Sequence, residues 1–159
     1  MIETELIFLP KDDGWRSLAT RHVTIKQGYF SRAEDYNVRV RIMDGQSAKL
    51  TIKSRKLESG ISRYEFEYSI PLEDAQTMMA EFCGGRIVEK TRHYVDYAGH
   101  IWEVDEFFGA NEGLVVAEIE LESVDEKFEK PDWAGEDVTA NNRYGNQNLA
   151  DKPYRDWKH

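Results

Sequence analysis

The chain has 159 residues, 40% of them hydrophobic and 12% aromatic, with 32% charged and a formal net charge of −9. That length suits one domain with a real core, and the aromatic content excludes a disordered chain. The acidic balance argues against nonspecific nucleic-acid binding, which draws on a basic surface. No apolar run of about 18 residues is present, which excludes a helical membrane span. A single cysteine, Cys83, excludes a disulfide framework and a cysteine-based zinc site. The N-terminus lacks the basic-then-apolar layout of a secretion signal, so the expected location is reducing and cytoplasmic.

Alternation of apolar and polar residues predicts about eight strands, over 1–9, 22–30, 36–44, 47–56, 61–70, 84–97, 99–108 and 114–122. Asp44-Gly45, Glu58-Ser59-Gly60 and Ala98-Gly99 are turn signals, and strands joined so tightly must be antiparallel. Short helices are expected over 13–20 and 71–82, the second opened by Pro71 and stopped before Gly84-Gly85. The polar, Asn-rich stretch 135–150 is expected as a late helix or a flexible segment. The sequence thus reads as one mainly β domain over 1–150, with some helix outside the sheet and a surface tail over 151–159.

The strands share a charged face. Glu3 and Glu5 alternate with Ile2, Thr4 and Leu6; Arg39 and Arg41 with Val38, Val40 and Ile42; Glu118 and Glu120 with Ala117, Ile119 and Leu121. Lys53 follows Thr51, and Lys90 pairs with Arg92 at the same spacing. Arg63, Glu65 and Glu67 share one face, as do Glu103 and Asp105. A solvated face of an antiparallel sandwich normally mixes its signs, because like charges side by side repel. Here one sign recurs within a strand. If the sheet closes into a barrel, acids and bases converge on one lumen. Converging carboxylates call for a hard divalent cation, and converging guanidinium and ammonium groups call for an anion such as phosphate. A metal-phosphate ligand satisfies both walls.

The order Glu-x-Glu, Arg-x-Arg, Lys, Glu-x-Glu, Lys-x-Arg, acid-x-Asp, Glu-x-Glu resembles the CYTH superfamily, the triphosphate tunnel metalloenzymes. So do HVTIKQGYF, RIVEKTRHYVDYAG, WEVDEF, VAEIELESVDE and the closing GEDVTANNRYGNQNLA. The resemblance covers nearly the whole chain and implies an eight-stranded antiparallel β-barrel forming a tunnel. It implies metal-dependent hydrolysis of inorganic triphosphate or a related organic triphosphate, with Mg²⁺ or Mn²⁺, two ions per site. Position by position, it assigns Glu3, Glu5, Glu103, Asp105, Glu118 and Glu120 to metal binding. Arg39, Arg41, Lys53, Lys90, Arg92, Tyr29 and Arg143 are assigned to the phosphates. Lys90 is the candidate for assisting the leaving phosphate, and Glu65 and Glu67 for placing a metal or water. Class IV adenylate cyclase activity on ATP, and a non-catalytic polyphosphate- or nucleotide-binding barrel, are the alternatives. The partner is a small-molecule triphosphate, with no nucleic acid and no membrane; the oligomeric state is open, a homodimer included.

One position departs from the family pattern. The family opens Glu-x-Glu-x-Lys, and Ile7 stands where that lysine would be, with Lys49 and Lys26 as candidate replacements. Loss of such a charge-assisted contact costs about 1.5–3 kcal/mol of binding or transition-state stabilisation. His22, His93, His100 and His159 lack metal-ligand spacing, Ser17, Ser54 and Ser62 lack the surroundings of an activated serine, and Trp102, Phe107 and Phe108 are expected to be packing residues.

Overall fold

The alternating stretches close on themselves. In the computed structural model, which describes residues 1–31 and 35–157, nine strands form one antiparallel sheet. They are β1 (Ile2–Pro10), β2 (Arg21–Tyr29), β3 (Tyr36–Met43), β4 (Ser47–Ser54), β5 (Ser62–Ile70), β6 (Ile87–Tyr97), β7 (His100–Phe107), β8 (Val115–Leu121) and β9 (Ala134–Asp137). The order β5-β4-β3-β2-β6-β7-β8-β1 closes through a β1–β5 pairing into an eight-stranded barrel. Tight turns set the registers. Asp44 and Gly45 both have positive φ (52° and 65°), and the amide of Gln46 donates to the carbonyl of Met43 in a three-residue loop that pairs Met43 with Ser47. The β6–β7 connection is a two-residue hairpin, Ala98 and Gly99 both with positive φ between the paired Tyr97 and His100.

The 135–150 stretch is neither one helix nor flexible. It divides into β9, a 3-10 turn over Asn142–Tyr144 and the helix α2 (Asn146–Asp151). β9 has four residues, too few for alternation to reveal, and it pairs with the second half of β1 where β5 leaves off. Gly135 permits that approach: a Cβ there would lie 2.6 Å from the Leu9 carbonyl oxygen. The helix expected over 13–20 shrinks to one 3-10 turn, Arg16–Leu18. The segment folds tightly around Trp15, which is wholly buried, and a nucleus this short gains too few hydrogen bonds to extend. The other helix, α1 (Leu72–Phe82), forms as expected.

Three apolar clusters frame the barrel. Outside β1, β7 and β8, the aromatic group of Phe8, Trp15, Trp102 and Trp133 packs against Ala117 and Ile119. Outside β3 and β4, Ala75 and Met79 of α1 cover Val40 and Ala48. At one end of the lumen, Leu149 of α2 joins Tyr29, Val88, Phe107 and Val116, with Ile7 and Leu9 against them. Tyr154 and Trp157, from the expected surface tail, pack against this same cluster; residues 158–159, His159 included, lie outside the described residues. α2 therefore plugs the barrel, making the tunnel a deep cavity with a polar lining.

Candidate active site

Because side chains alternate along a strand, the like-charged pairs of β1, β3, β6 and β8, with Lys53 of β4, Glu65 and Glu67 of β5 and Glu103 of β7, turn inward, and the registers bring opposing strands into contact. Glu5 stands opposite Glu120 on β8, Ile7 opposite Glu118, and Lys53 on β4 opposite Glu65 on β5. The result is a cavity of about 1080 Å³ lined by Glu3, Glu5, Arg39, Arg41, Lys53, Glu65, Glu67, Lys90, Arg92, Glu103, Glu118 and Glu120, with Tyr29 and Ile7. That volume lies just above the range of small-ligand sites, roughly 300–1,000 Å³.

One part of the lining neutralises itself. Asp105, fully buried, accepts hydrogen bonds from Lys90 Nζ at 2.7 Å and from Arg92 Nε and Nη2 at 2.8 and 2.9 Å. Burial alone would raise the Asp105 pKa, but the charges of Arg92 and Lys90 outweigh it and hold the carboxyl well below its usual range. Arg92 also donates to Glu103 at 2.9 Å and lies 3.6 Å from Glu118. Lys53 is similarly engaged, 3.0 Å from Glu3 and 3.3 Å from Glu65. Burial opposes ionisation of Glu3, yet Lys53 and a hydrogen bond with Glu65 bring its pKa down to about 2. Lys49 and Thr51 hold Glu67 at 3.2 Å each.

Elsewhere in the lining like charges crowd one another, on the acidic and on the basic side. Glu3, Glu5 and Glu120 each offer a carboxylate oxygen, the three atoms lying within 4.8 Å of one another. Burial first, then the charges of Glu118 and Glu3, push the Glu5 pKa well up. Burial and the neighbouring charges of Glu3, Glu103, Glu65 and Glu118 raise that of Glu120 to about 7. Arg39 Nε is buried and hydrogen-bonds to none of the described residues. Arg41 donates through Nε to Gln27 Oε1 at 2.9 Å, but burial and the charges of Arg39 and Arg92 lower its pKa to about 10. Lys90 falls to about 8, with burial the largest cause.

Not every expected residue joins the lumen. Arg143, on the exposed turn before α2, stacks over Trp157 with its guanidinium carbon 3.9 Å from the ring centroid and stands outside the cavity lining. Asp105 is absent from the acid group because both its oxygens are taken by Lys90 and Arg92. Lys26 is exposed, on the opposite face of β2 from Gln27, so of the two candidate replacements for the missing lysine only Lys49 lines the tunnel. Two polar residues escape sequence reasoning altogether. Gln27 Nε2 donates to Tyr29 Oη at 3.0 Å and to Asn146 Oδ1 at 3.1 Å, while Lys90 Nζ also reaches Asn146 Oδ1 at 3.0 Å. Asn146, the first residue of α2, thus ties the plug to the basic wall; its only sequence signal is its place in YGNQNLA.

A closed antiparallel barrel whose lumen crowds carboxylates on one side and guanidinium groups on the other has the chemistry to receive an anion together with a cation. The chain belongs to the CYTH domain family, whose model matches residues 1–153. It is 43% identical over 156 residues to an inorganic triphosphatase of Acetivibrio thermocellus, covering 98% of this chain and 97% of that one. It is 36% identical over 132 residues to an inorganic triphosphatase of Nitrosomonas europaea, covering 80% and 84%. Among solved structures it matches the inorganic triphosphatase NE1496 with a TM-score of 0.64 and 30% identity, covering 93% of each chain.

Proposed function

We propose that the protein is a metal-dependent triphosphatase that cleaves a phosphoanhydride bond of inorganic triphosphate. One observation carries this: a single cavity holds acids raised by burial and their acidic neighbours (Glu5, Glu120) beside a cation lowered by burial and its cationic neighbours (Arg41) and a buried Arg39 Nε with no hydrogen-bond partner among the described residues, and a metal-bound polyphosphate satisfies both sides. The similarity to inorganic triphosphatases along nearly the full chain supports that substrate over other triphosphates.

The donor set fits a hard divalent cation. Glu3, Glu5 and Glu120 supply only oxygen, the preference of Mg²⁺ and Mn²⁺, and Glu118 and Glu103, paired across β8 and β7, are the acids that a second ion would use. Such ions, when bound, neutralise phosphate oxygens and acidify the attacking water. The chain's own residues do the rest. Arg39, Arg41, Lys53 and Arg92 bind the phosphate oxygens, and Arg39 offers an Nε with no hydrogen-bond partner among the described residues. Tyr29, joined to Gln27 and to Arg39, fixes the orientation of Arg39. Lys90, with a pKa near 8, is protonated at neutral pH and readily gives up a proton, which suits it to neutralise the departing phosphate. Asp105 and Asn146 aim its ammonium. Glu65, bonded to Glu3, and Glu67, ionised beside Lys49, orient water at the opposite side.

This reading treats residues 1–150 as one catalytic domain and places the protein in the cytoplasm. The free, buried Cys83 supports a reducing compartment, and among the described residues no helix is long and apolar enough to cross a membrane. The test is phosphate and cyclic AMP release from inorganic triphosphate, thiamine triphosphate and ATP, each with Mg²⁺, Mn²⁺ or EDTA. Metal-dependent phosphate release, greatest with inorganic triphosphate and lost in Glu118→Ala, is expected. Tight triphosphate binding without turnover would make the chain a binding barrel, and cyclic AMP as the main product would make it a cyclase.

A further inference from the structure

The inward positions of β3 are Asn37, Arg39, Arg41 and Met43, and all four line the cavity. The row of polar groups on this face therefore does not stop at Arg39. β2 ends at Tyr29, opposite Arg39, so Asn37 lies one inward step beyond the last β2–β3 pair, with Lys53 of β4 opposite it on the other side. It is nonetheless buried, with 6% of its surface exposed.

A buried asparagine is ordinarily held by the hydrogen bonds it makes, and Asn37 Oδ1 makes none with the described residues. Thr51, two residues from Lys53 on β4, shows the contrast: it is wholly buried and donates to Glu67 at 3.2 Å. Because Asn37 Oδ1 is sealed from the lumen, Nδ2 is the polar end of the amide that faces it. Half a turn of the amide would bring Oδ1 out to solvent and relieve it, but would aim lone pairs at the occupant of the cavity. With the donor outward, the side chain suits an anion.

We infer that Asn37 is a further phosphate-binding residue, its Nδ2 donating to a triphosphate oxygen beside those held by Arg39. The inference rests on the catalytic reading and extends it. Lys53, the cation opposite, divides its ammonium between Glu3 at 3.0 Å and Glu65 at 3.3 Å, so at this level of the wall Asn37 offers a donor that none of the described acids occupies. Its neutrality matters too. Arg41 is already pressed by burial and by the charges of Arg39 and Arg92, and a neutral donor lengthens the row without adding to that repulsion.

Steady-state turnover of inorganic triphosphate with Mg²⁺ tests it, for wild type, Asn37→Leu and Asn37→Asp, beside the Tm of each chain without substrate. Asn37→Leu removes the amide at nearly constant volume. It should raise KM by about tenfold, the scale of one hydrogen bond to a charged acceptor, and leave kcat within about threefold. Its Tm should stay at or above that of wild type, because an unpartnered buried acceptor is gone. Asn37→Asp keeps the shape but sets a carboxylate against the phosphate, and should raise KM by at least about 100-fold. A KM rise below about threefold in Asn37→Leu overturns the inference. So does a loss of kcat at constant KM, which would make Asn37 a residue that places the attacking water, or a lowered Tm, which would make it structural. If wild type does not turn triphosphate over, the catalytic reading has failed instead, and the same tenfold is read as Kd by calorimetry with triphosphate in EDTA.

Discussion

Asp105 and Glu5 are both acids on inward positions of the same barrel, and their surroundings are opposite. Asp105 is fully buried but carries two cations on its oxygens, and its pKa is driven down. Glu5 faces Glu3, Glu118 and Glu120, and its pKa is driven up. Acid at an inward position therefore means two things here. One kind is neutralised by its own chain; the other faces like charges, a repulsion that a bound cation relieves. The cation side shows a related contrast, with Lys53 and Arg92 in contact with acids while Arg39 Nε has no hydrogen-bond partner among the described residues.

Substitution separates the two kinds. Glu5→Gln should lower metal-dependent triphosphate turnover by about 10²–10³-fold, the scale of one lost electrostatic contact to a transition state, with the fold retained. Turnover within threefold of wild type would place the metal wall elsewhere. Asp105→Asn acts instead on stability. It leaves Lys90 and Arg92 buried against an amide, at about 3–5 kcal/mol, and should lower Tm by roughly 10 °C in a chain of this size. An unchanged Tm would show that this pair is not structural.

The pH dependence follows from the raised acids. Glu120 titrates near 7 in the folded chain against an ordinary 4.5, so the metal-free fold binds more protons than the unfolded chain between those values. Its contribution to stability is then fully present below about 4.5 and is lost as pH rises through about 7. A divalent cation competes with those protons. Calorimetry in buffers of different ionisation enthalpy should show proton release on Mg²⁺ binding, and affinity that falls up to about tenfold per pH unit below 7. Affinity independent of pH between 5.5 and 8 would contradict the raised acids. The smallest effect is expected of Ile7→Lys. Ile7 lines the cavity but also packs against the α2 plug, so a lysine should raise turnover by only roughly three- to tenfold. An unchanged or lower rate would show that the tunnel does not lack a cation there.

The barrel was legible because alternation reports the face of a strand directly. Glu3-x-Glu5, Arg39-x-Arg41 and Glu118-x-Glu120 all point inward as their spacing demands, and the turn residues at 44–45 and 98–99 fold as their chemistry requires. What alternation does not report is the neighbour across the gap. Nothing local says that Arg92 lies opposite Asp105, or that Lys90 reaches the same carboxylate diagonally, so Asp105 looked like one more metal ligand. Contacts separated by long stretches of chain were equally hidden. Gln27 meets Asn146 across 119 positions, and β9 is recognisable only once β1 is there to pair with it. Arg143 had the right charge near the right motif, but the turn over Asn142–Tyr144 directs it to Trp157.

Thermal unfolding of wild type and Glu5→Gln, with and without Mg²⁺ at pH 8, tests the unfilled acid wall most directly. The account predicts that Mg²⁺ raises the Tm of wild type, that Glu5→Gln raises it without metal by relieving the repulsion with Glu118 and Glu3, and that the variant loses most of the metal response. A wild-type Tm indifferent to Mg²⁺, or a Glu5→Gln chain less stable than wild type in its absence, would contradict it.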